Sequence, residues 1–177
     1  MIQPYRCLYP RLTVLVTTGT PNKPNAIAIA WSSPLSAHPP LIGILIAPSR
    51  HSFHLLRDQR DFVIAVPSRD LANEVLYVGS HSGKTENKFE NCGLTAISAD
   101  LVAAPLVEEC PINIECKLRD EVQTGDHSLF IGEAVKTHIK DDSYVDVWGP
   151  IPGSINPLYW RDSKTLDIYR LESTNLG

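Results

Sequence analysis

The chain has 177 residues, a net charge of -4, and hydrophobic and charged fractions of 43% and 20%. This length is close to that of one typical domain, and the composition is that of a folded globule rather than a disordered chain. Lys and Arg form no long run, which argues against a surface for nucleic acid or anionic membrane. We therefore expect a single domain over residues 1–177 with no nucleic-acid partner.

The apolar segments are short. The most apolar one, residues 41–47, is far too short to cross a bilayer, and residues 1–11 do not resemble a signal peptide. The four cysteines form no C-x-x-C pair, so a reducing compartment would keep them as thiols. We expect a cytoplasmic protein without a membrane partner.

Strand patterns dominate in chain order. Alternating or short apolar runs predict strands at residues 12–18, 26–31, 41–47, 62–66, 112–122, 128–139, 144–148 and 166–171. Helices are predicted at residues 52–59, 70–79 and 85–91, the second capped by Asp70 and ended by Gly79. Many strands with few peripheral helices favour a closed or nearly closed antiparallel barrel, because a flat sheet would leave exposed edges.

Small residues recur along the second predicted strand and just beyond it. Ala26, Ala28, Ala30, Ser32 and Ser33 would let the backbone approach the edge of a planar aromatic ligand closely enough for hydrogen bonding. The alternative is a barrel strand whose small side chains face a tightly packed interior. The pattern alone leaves both interpretations open.

The residues Ser49-Arg50-His51-Ser52 stand immediately before a predicted helix. A helix N-terminus offers free N–H groups and the positive end of its dipole, and Arg50 adds a fork of fixed donors. This arrangement suits a phosphate group. The alternative is that Ser52 simply caps the helix while Arg50 is solvated.

Two further segments carry polar side chains that can bind a ligand or take part in a reaction. Lys84 and Lys88 would lie one turn apart if the segment 84–88 is helical, so that both would face one pocket or, alternatively, solvent. The segment is not a Walker loop, because that motif requires a glycine five residues before Gly83 and position 78 is Val. His127 stands immediately before the predicted strand 128–139. Its imidazole either exchanges a proton with a ligand or has a purely structural role. The other histidines show no metal-ligand spacing, so no metal site is expected.

These segments in this order resemble the flavin reductase-like, FMN-binding split-barrel family, including flavoredoxin. The resemblance is carried by residues 25–31, by Ser36-x-x-Pro39-Pro40, and by residues 49–52, 62–66, 82–89, 125–127 and 132–135. It implies an antiparallel split β-barrel of the Greek-key type with two or three peripheral helices. It also implies FMN as the cofactor.

The resemblance implies a role for each matching position. The isoalloxazine and ribityl groups would lie along Asn25, Ala26, Ile27, Ala28, Ile29, Trp31, Ser32 and Ser33, largely through backbone groups. Ser49, Arg50, His51 and Ser52 would form the phosphate segment, and Lys84 and Lys88 would approach the flavin from the rim or from a dimer partner. His127 would lie near the reactive face of the flavin, as the catalytic residue.

The implied activity is that of an NAD(P)H-dependent flavin oxidoreductase, with NADH or NADPH as donor and a homodimer as the assembly. A second hypothesis is an FMN electron carrier that meets a redox protein partner and has no nicotinamide reaction of its own. A third is a barrel used only for interactions. Trp160 and Arg161 stand where the family has two glycines, a departure that bears on nicotinamide access rather than on flavin binding.

Overall fold

The protein is mainly β. The computed structural model describes the backbone of residues 3–140, 158–162 and 165–168 and the side chains of residues 3–140. The strands are β1 (Arg11–Leu12), β2 (Val14–Thr20), β3 (Lys23–Ile29), β4 (Ser32–Ser36), β5 (Leu41–Ile46), β6 (Asp61–Val66), β7 (Ala96–Ile97), β8 (Leu106–Val107), β9 (Ile112–Thr124), β10 (His127–Ile139), β11 (Leu158–Asp162) and β12 (Thr165–Ile168). The α-helices are α1 (His51–Gln59), α2 (Ala72–Ser80) and α3 (Lys88–Cys92), and 3-10 turns cover Pro4–Leu8 and Arg69–Leu71. None of the helices in these ranges is long and apolar enough to cross a membrane.

A seven-stranded antiparallel sheet forms the body of the fold, in the order β3-β2-β6-β9-β10-β5-β4. Its two edge strands, β3 and β4, are joined in the chain by only Ala30 and Trp31, so the sheet has to roll up. A hydrogen bond of 2.9 Å from Leu45 N to Trp31 O fastens this junction to β5. The predicted antiparallel barrel architecture is confirmed.

The two larger of three apolar clusters lie on opposite faces of the rolled sheet. Inside it, Val16, Ile44, Phe62 and Phe130 are fully buried. Outside it, a second core packs the sheet against α2 and α3, with members that include Leu15, Ala26, Val75, Val78 and Phe89. Because both faces of β2 are covered, that strand is a continuous buried run rather than an alternating one.

Several predicted boundaries differ from the observed ones. The predicted helix 85–91 begins only at Lys88, because the Asn87 side chain caps it by accepting from Phe89 N at 3.2 Å. Asp70 does not cap α2, which follows a 3-10 turn instead. Strand β4 was not predicted, because its Ser-rich sequence with Pro34 lacks an apolar pattern. The predicted strand 144–148 lies outside the described residues, as does part of 166–171.

A buried carboxylate anchors the loop that follows β7. Both oxygens of Glu115 accept backbone hydrogen bonds, from Asp100 N at 3.0 Å and from Leu101 N at 2.6 Å. His138 Nε2 lies 2.6 Å from the first of these oxygens. Burial alone would raise the pKa of Glu115, but these hydrogen bonds outweigh it and hold the pKa below its usual value.

We expect Glu115→Gln to lower the free energy of unfolding by about 1–3 kcal/mol at pH 7, because an amide cannot accept at both positions. Urea denaturation measures this loss. Since the folded-state pKa of Glu115 is lowered, its stabilisation is present at neutral pH and lost as the pH falls through the folded-state pKa, so the gap to wild type narrows in acid. The control is Glu121→Gln on the same strand, whose ion pair with Arg57 is exposed, and we expect it to cost about 1 kcal/mol or less. Equal losses of unfolding free energy in the two variants would contradict the proposal that Glu115 anchors the loop.

Candidate functional site

One elongated groove runs across the outer edge of β3. It consists of two cavities of about 290 and 240 Å³ that share Ile27, Ala28 and Arg50 in their walls. We call the larger cavity the aromatic end; it is lined by Tyr5, Tyr9, Ile29, Ala30, Trp31, Leu45, Ile46, Ala47 and His127. We call the smaller one the basic end; it is lined by Ser49, His51, Ser52, Val78, Gly79, His81, Ser82, Gly83 and Lys88.

The N-terminus of α1 opens into the basic end. Arg50 is the N-cap residue, with extended backbone, and no side chain of residues 3–140 caps the helix. The first N–H groups of an α-helix have no intrahelical acceptor, so those of His51 and Ser52 are available to an anion, as is the positive end of the helix dipole. Ser52 lies inside the helix and is not its cap, so the simple capping interpretation of Ser52 is wrong.

Asn25 connects β3 to α1 from beneath the groove. Its Nδ2 donates to Ser52 Oγ and to Thr18 Oγ1, both at 2.9 Å, and its side chain is almost fully buried. Its Oδ1 has no hydrogen-bond partner among residues 3–140. Gly83 packs directly against this oxygen: a Cβ at position 83 would lie 2.1 Å from it. Asn25 therefore holds Ser52 and the loop at Gly83 together rather than lining the groove.

Lys88 faces the helix end from the opposite wall of the basic end. The side chain is 4% exposed, and its Nζ donates to Val78 O at 3.1 Å and to His81 O at 3.3 Å, at the carbonyl end of α2. Burial lowers its pKa to about 8, so the ammonium is still largely charged at pH 7. An ammonium has three protons, which leaves one for a ligand.

Lys84 does not share this position. It is exposed, lies in a turn before α3 and is absent from the lining of the groove, so the two lysines do not lie one helical turn apart. Its charge nevertheless reaches the basic end. Burial and then the charges of Lys88, His54, Lys84 and Lys23 lower the pKa of His51. This end of the groove is therefore a region of positive potential.

The aromatic end is built around Trp31. Its ring lies 4.7 Å from the His127 ring and 5.2 Å from the Tyr5 ring, and its Nε1 donates to the Tyr9 hydroxyl at 3.0 Å. His127 Nδ1 lies 2.7 Å from Asp126 Oδ1. Tyr5 and Tyr9 were not predicted as site residues, because the N-terminal segment has no periodic pattern that would place it beside β3.

The structure thus brings many of the predicted site residues to one groove: Ile27, Ala28, Ile29, Trp31, Ser49, Arg50, His51, Ser52, Lys88 and His127. Ala26 lies instead in the second core, under α2 and α3. Ser32 and Ser33 line a separate cavity of about 490 Å³. The small residues therefore do not form one continuous wall, because the chain turns at Trp31 and β4 pairs with β5 on another side.

Asp100, Glu115 and His138 bring potential metal-ligating atoms within 4.8 Å of one another. No sequence spacing indicated this group, since its members are far apart in the chain. Both Glu115 oxygens already accept backbone hydrogen bonds, and Lys136 forms an ion pair with Asp100. We assign the group the loop-anchoring role described above.

The flavin reductase like domain model matches residues 5–168. The chain belongs to the flavin reductase-like family. An uncharacterized protein of Archaeoglobus fulgidus is 42% identical over 126 residues, which is 71% of each chain. Flavoredoxin of Desulfovibrio vulgaris (Miyazaki F) is 29% identical, with a TM-score of 0.82, and the match covers 95% of this chain and 91% of that one. An FMN-binding protein from Thermus thermophilus with bound 1-cyclohex-2-enone is 24% identical, with a TM-score of 0.87 over 98% and 94% of the two chains.

The groove of this flavin reductase-like chain fits a phosphorylated flavin chemically. Its basic end offers uncapped helix N–H groups, a buried ammonium at Lys88 and the Arg50 guanidinium. Its other end offers backbone of β3 and aromatic rings. Charged donors at one end and apolar planar walls at the other match the two ends of FMN.

We expect Gly83→Ala to destabilise the protein by about 1–3 kcal/mol, because the new Cβ would overlap Asn25 Oδ1 and the two hydrogen bonds donated by Asn25 Nδ2 hold this amide in place. Thermal and urea unfolding measure this cost. The control is the same substitution in an Asn25→Ala background, where the overlap is gone and we expect an additional cost below about 0.5 kcal/mol. An equal cost in both backgrounds would contradict the packing of Asn25 against Gly83.

Proposed function

We propose that this flavin reductase-like chain binds FMN in the groove, with its phosphate at the basic end, and acts as an NAD(P)H-dependent flavin oxidoreductase. One observation carries the proposal: the uncapped N-terminus of α1 with Arg50 faces the buried ammonium of Lys88 across a cavity of about 240 Å³. A phosphate is the anion that such converging donors bind best.

In this proposal the phosphate accepts from the N–H groups of the first turn of α1, from the hydroxyls of Ser49 and Ser52, and from Arg50. The Ser52 hydroxyl is already oriented, because it accepts from Asn25 and keeps its own proton for a ligand. Lys88 supplies a second positive charge that is held in place by the carbonyl end of α2. Fixed donors lose little entropy on binding.

The isoalloxazine is assigned to the backbone of residues 27–31, beside His127. A bound flavin supplies the electron-transfer chemistry, and the protein supplies position and charge. His127 is the residue we assign to proton movement, since Asp126 engages its Nδ1 and leaves Nε2 for a ligand.

An FMN electron carrier without a nicotinamide reaction is the second candidate. The likeness to flavoredoxin, at 29% identity over most of both chains, favours it. Both candidates use the same groove and differ in the electron donor, which is NADH or NADPH in the first and a redox protein in the second.

The assembly and compartment are proposals too. We propose a homodimer, in which the exposed Lys84 lies at the rim of a groove rather than on its floor. The exposed apolar side chains Leu8, Leu12 and Leu35 support such an interface. The four free cysteines fit a reducing, cytoplasmic compartment.

We expect Arg50→Ala to weaken FMN binding by about 1.5–3 kcal/mol, through loss of a charge-assisted hydrogen bond to phosphate. Titration of the flavin-free protein, followed by quenching of FMN fluorescence, measures the change. The control is Arg57→Ala on the same helix, because Arg57 pairs with Glu121 and does not line the groove. Unchanged FMN affinity in Arg50→Ala would remove Arg50 from the site.

FMN affinity should depend on pH through Lys88. Because the pKa of Lys88 is about 8, the free protein carries the charge at pH 7 and loses it above pH 8. We expect the affinity to fall by only about twofold from pH 7 to 8 and then more steeply, by up to about tenfold per pH unit. Lys88→Gln should remove this fall, whereas Lys84→Gln should keep it. A flat profile in wild type up to pH 9.5 would contradict the role of Lys88.

The electron donor is tested by an anaerobic absorbance spectrum of the FMN-loaded protein after addition of NADH and then NADPH. The reductase proposal predicts bleaching of the flavin bands much faster than in free FMN. Bands that stay oxidised with both nucleotides, and bleach with dithionite, would reject the nicotinamide reaction and leave the carrier. His127→Ala should slow the bleaching more than it weakens FMN binding, and an equal loss of both would make His127 a packing residue.

A further inference from the structure

A cavity of about 490 Å³ opens at one end of the rolled sheet, and we call it the barrel mouth. It is lined by residues at four strand ends: Val14 at the start of β2, Ile42 near the start of β5, Val66 at the end of β6 and Ile114 near the start of β9. In an antiparallel sheet of this strand order, these strand ends lie together. The groove contains Ile46, at the other end of β5. Among residues 3–140, the barrel mouth and the groove share no lining residue.

The walls of the barrel mouth are mainly aliphatic. Val14 and Ile64 are buried members of the inner core, whereas Leu8 and Leu12 are 65% and 37% exposed. No aromatic ring of residues 3–140 lines this cavity. Its volume is that of a small-molecule site, and the mouths of β-barrels are a recurring place for such sites. A hydrocarbon chain that enters here leaves water and packs against the inner core.

The polar side chains of the barrel mouth lie on one side of it. They are Arg11, Ser32 and Ser33, and all three also line an adjoining cavity of about 230 Å³ that extends to Trp31. The residues that line the barrel mouth but not the adjoining cavity are all apolar. The barrel mouth is therefore amphipathic, with polar donors along one side and hydrocarbon on its remaining walls.

Arg11 supplies the charge at this polar side. Its Nη2 donates to Ser32 O at 3.4 Å, and its guanidinium forms no ion pair with residues 3–140. A guanidinium has five N–H donors, so one contact leaves the others for a ligand, and its planar fork matches a carboxylate. No acidic side chain of residues 3–140 lines the barrel mouth. The complementary head group is therefore an anion.

We propose that the barrel mouth binds an aliphatic monocarboxylate. Its carboxylate accepts from Arg11, and its hydrocarbon chain packs against Val14 and Ile64. The ligand is aliphatic because the walls offer branched side chains and no ring, and it carries one carboxylate because Arg11 is the one cationic lining residue among residues 3–140. This site lies apart from the groove and does not depend on FMN.

The test is isothermal titration of the full chain, both flavin-free and FMN-saturated, with octanoate as the probe. Two further probes each change one recognised feature: 1-octanol has no carboxylate, and hexanoate has a shorter chain. The variants are Arg11→Gln and Val66→Phe, which places a ring inside the barrel mouth. The matched control is Arg57→Gln, because Arg57 pairs with Glu121 and lines neither the barrel mouth nor the groove.

We expect octanoate to bind both forms of the protein without displacing FMN. Hexanoate should bind about tenfold more weakly, because fewer methylene groups are buried. 1-Octanol should bind at least about fivefold more weakly than octanoate, and Arg11→Gln should remove this difference. Val66→Phe should weaken octanoate binding at least about tenfold by filling the cavity, and Arg57→Gln should leave it unchanged. The wild-type comparison of the three probes holds even if a variant folds poorly.

Three results with wild type would overturn the proposal: no octanoate binding, displacement of FMN by octanoate, or equal affinities for the three probes. Unchanged octanoate affinity in Arg11→Gln would also overturn it. Leu8 and Leu12 belong to the face proposed for the homodimer, so sedimentation is measured alongside each titration. Octanoate binding that is lost as a dimer forms would show that a second copy covers the barrel mouth, and would overturn the proposal. Absence of FMN binding would refute the proposed function and leave this site standing.

Discussion

The hydrogen bond from Asn25 to Ser52 joins the strand that walls the groove to the helix whose N-terminus opens into it. It adds a polar link to the apolar packing of α1, whose Phe53 and Leu56 lie in the inner core with Ile29 of β3. The same side chain meets Gly83, which sets the position of the opposite loop. A single buried amide therefore contacts three walls of the groove. Burial makes this link costly to break, because a buried polar group that loses its partner stays unsatisfied.

The rolled sheet decides which residues meet at the groove. Since β3 and β4 lie at opposite edges yet are joined by Ala30 and Trp31, the chain must turn sharply there, and Trp31 is left at the junction. The strand entry at His127 is brought to the same place by the pairing of β10 with β5. The sheet topology thus sets the position of the aromatic end, and α1, the helix after β5, sets the position of the basic end.

Local patterns predicted most strands because burial on one or both faces leaves a clear signal, as in β2, β5 and β6. They also indicated the helix start after Ser49 and Arg50, because a helix N-terminus is a local feature. What depends on distant contacts was not predictable from the pattern. Lys88 is buried and Lys84 exposed because Asn87 delays the helix start, and Tyr9 reaches Trp31 only through the fold.

The central claim is that the basic end binds the phosphate of FMN. The most direct test compares the affinities of the flavin-free protein for FMN and for riboflavin, which has the same ring and ribityl chain but no phosphate. The helix N-terminus, Arg50 and Lys88 together predict that FMN binds at least about 100-fold more tightly at pH 7. Equal affinities would contradict the account, because they would mean that the charged donors at this end do not hold the ligand.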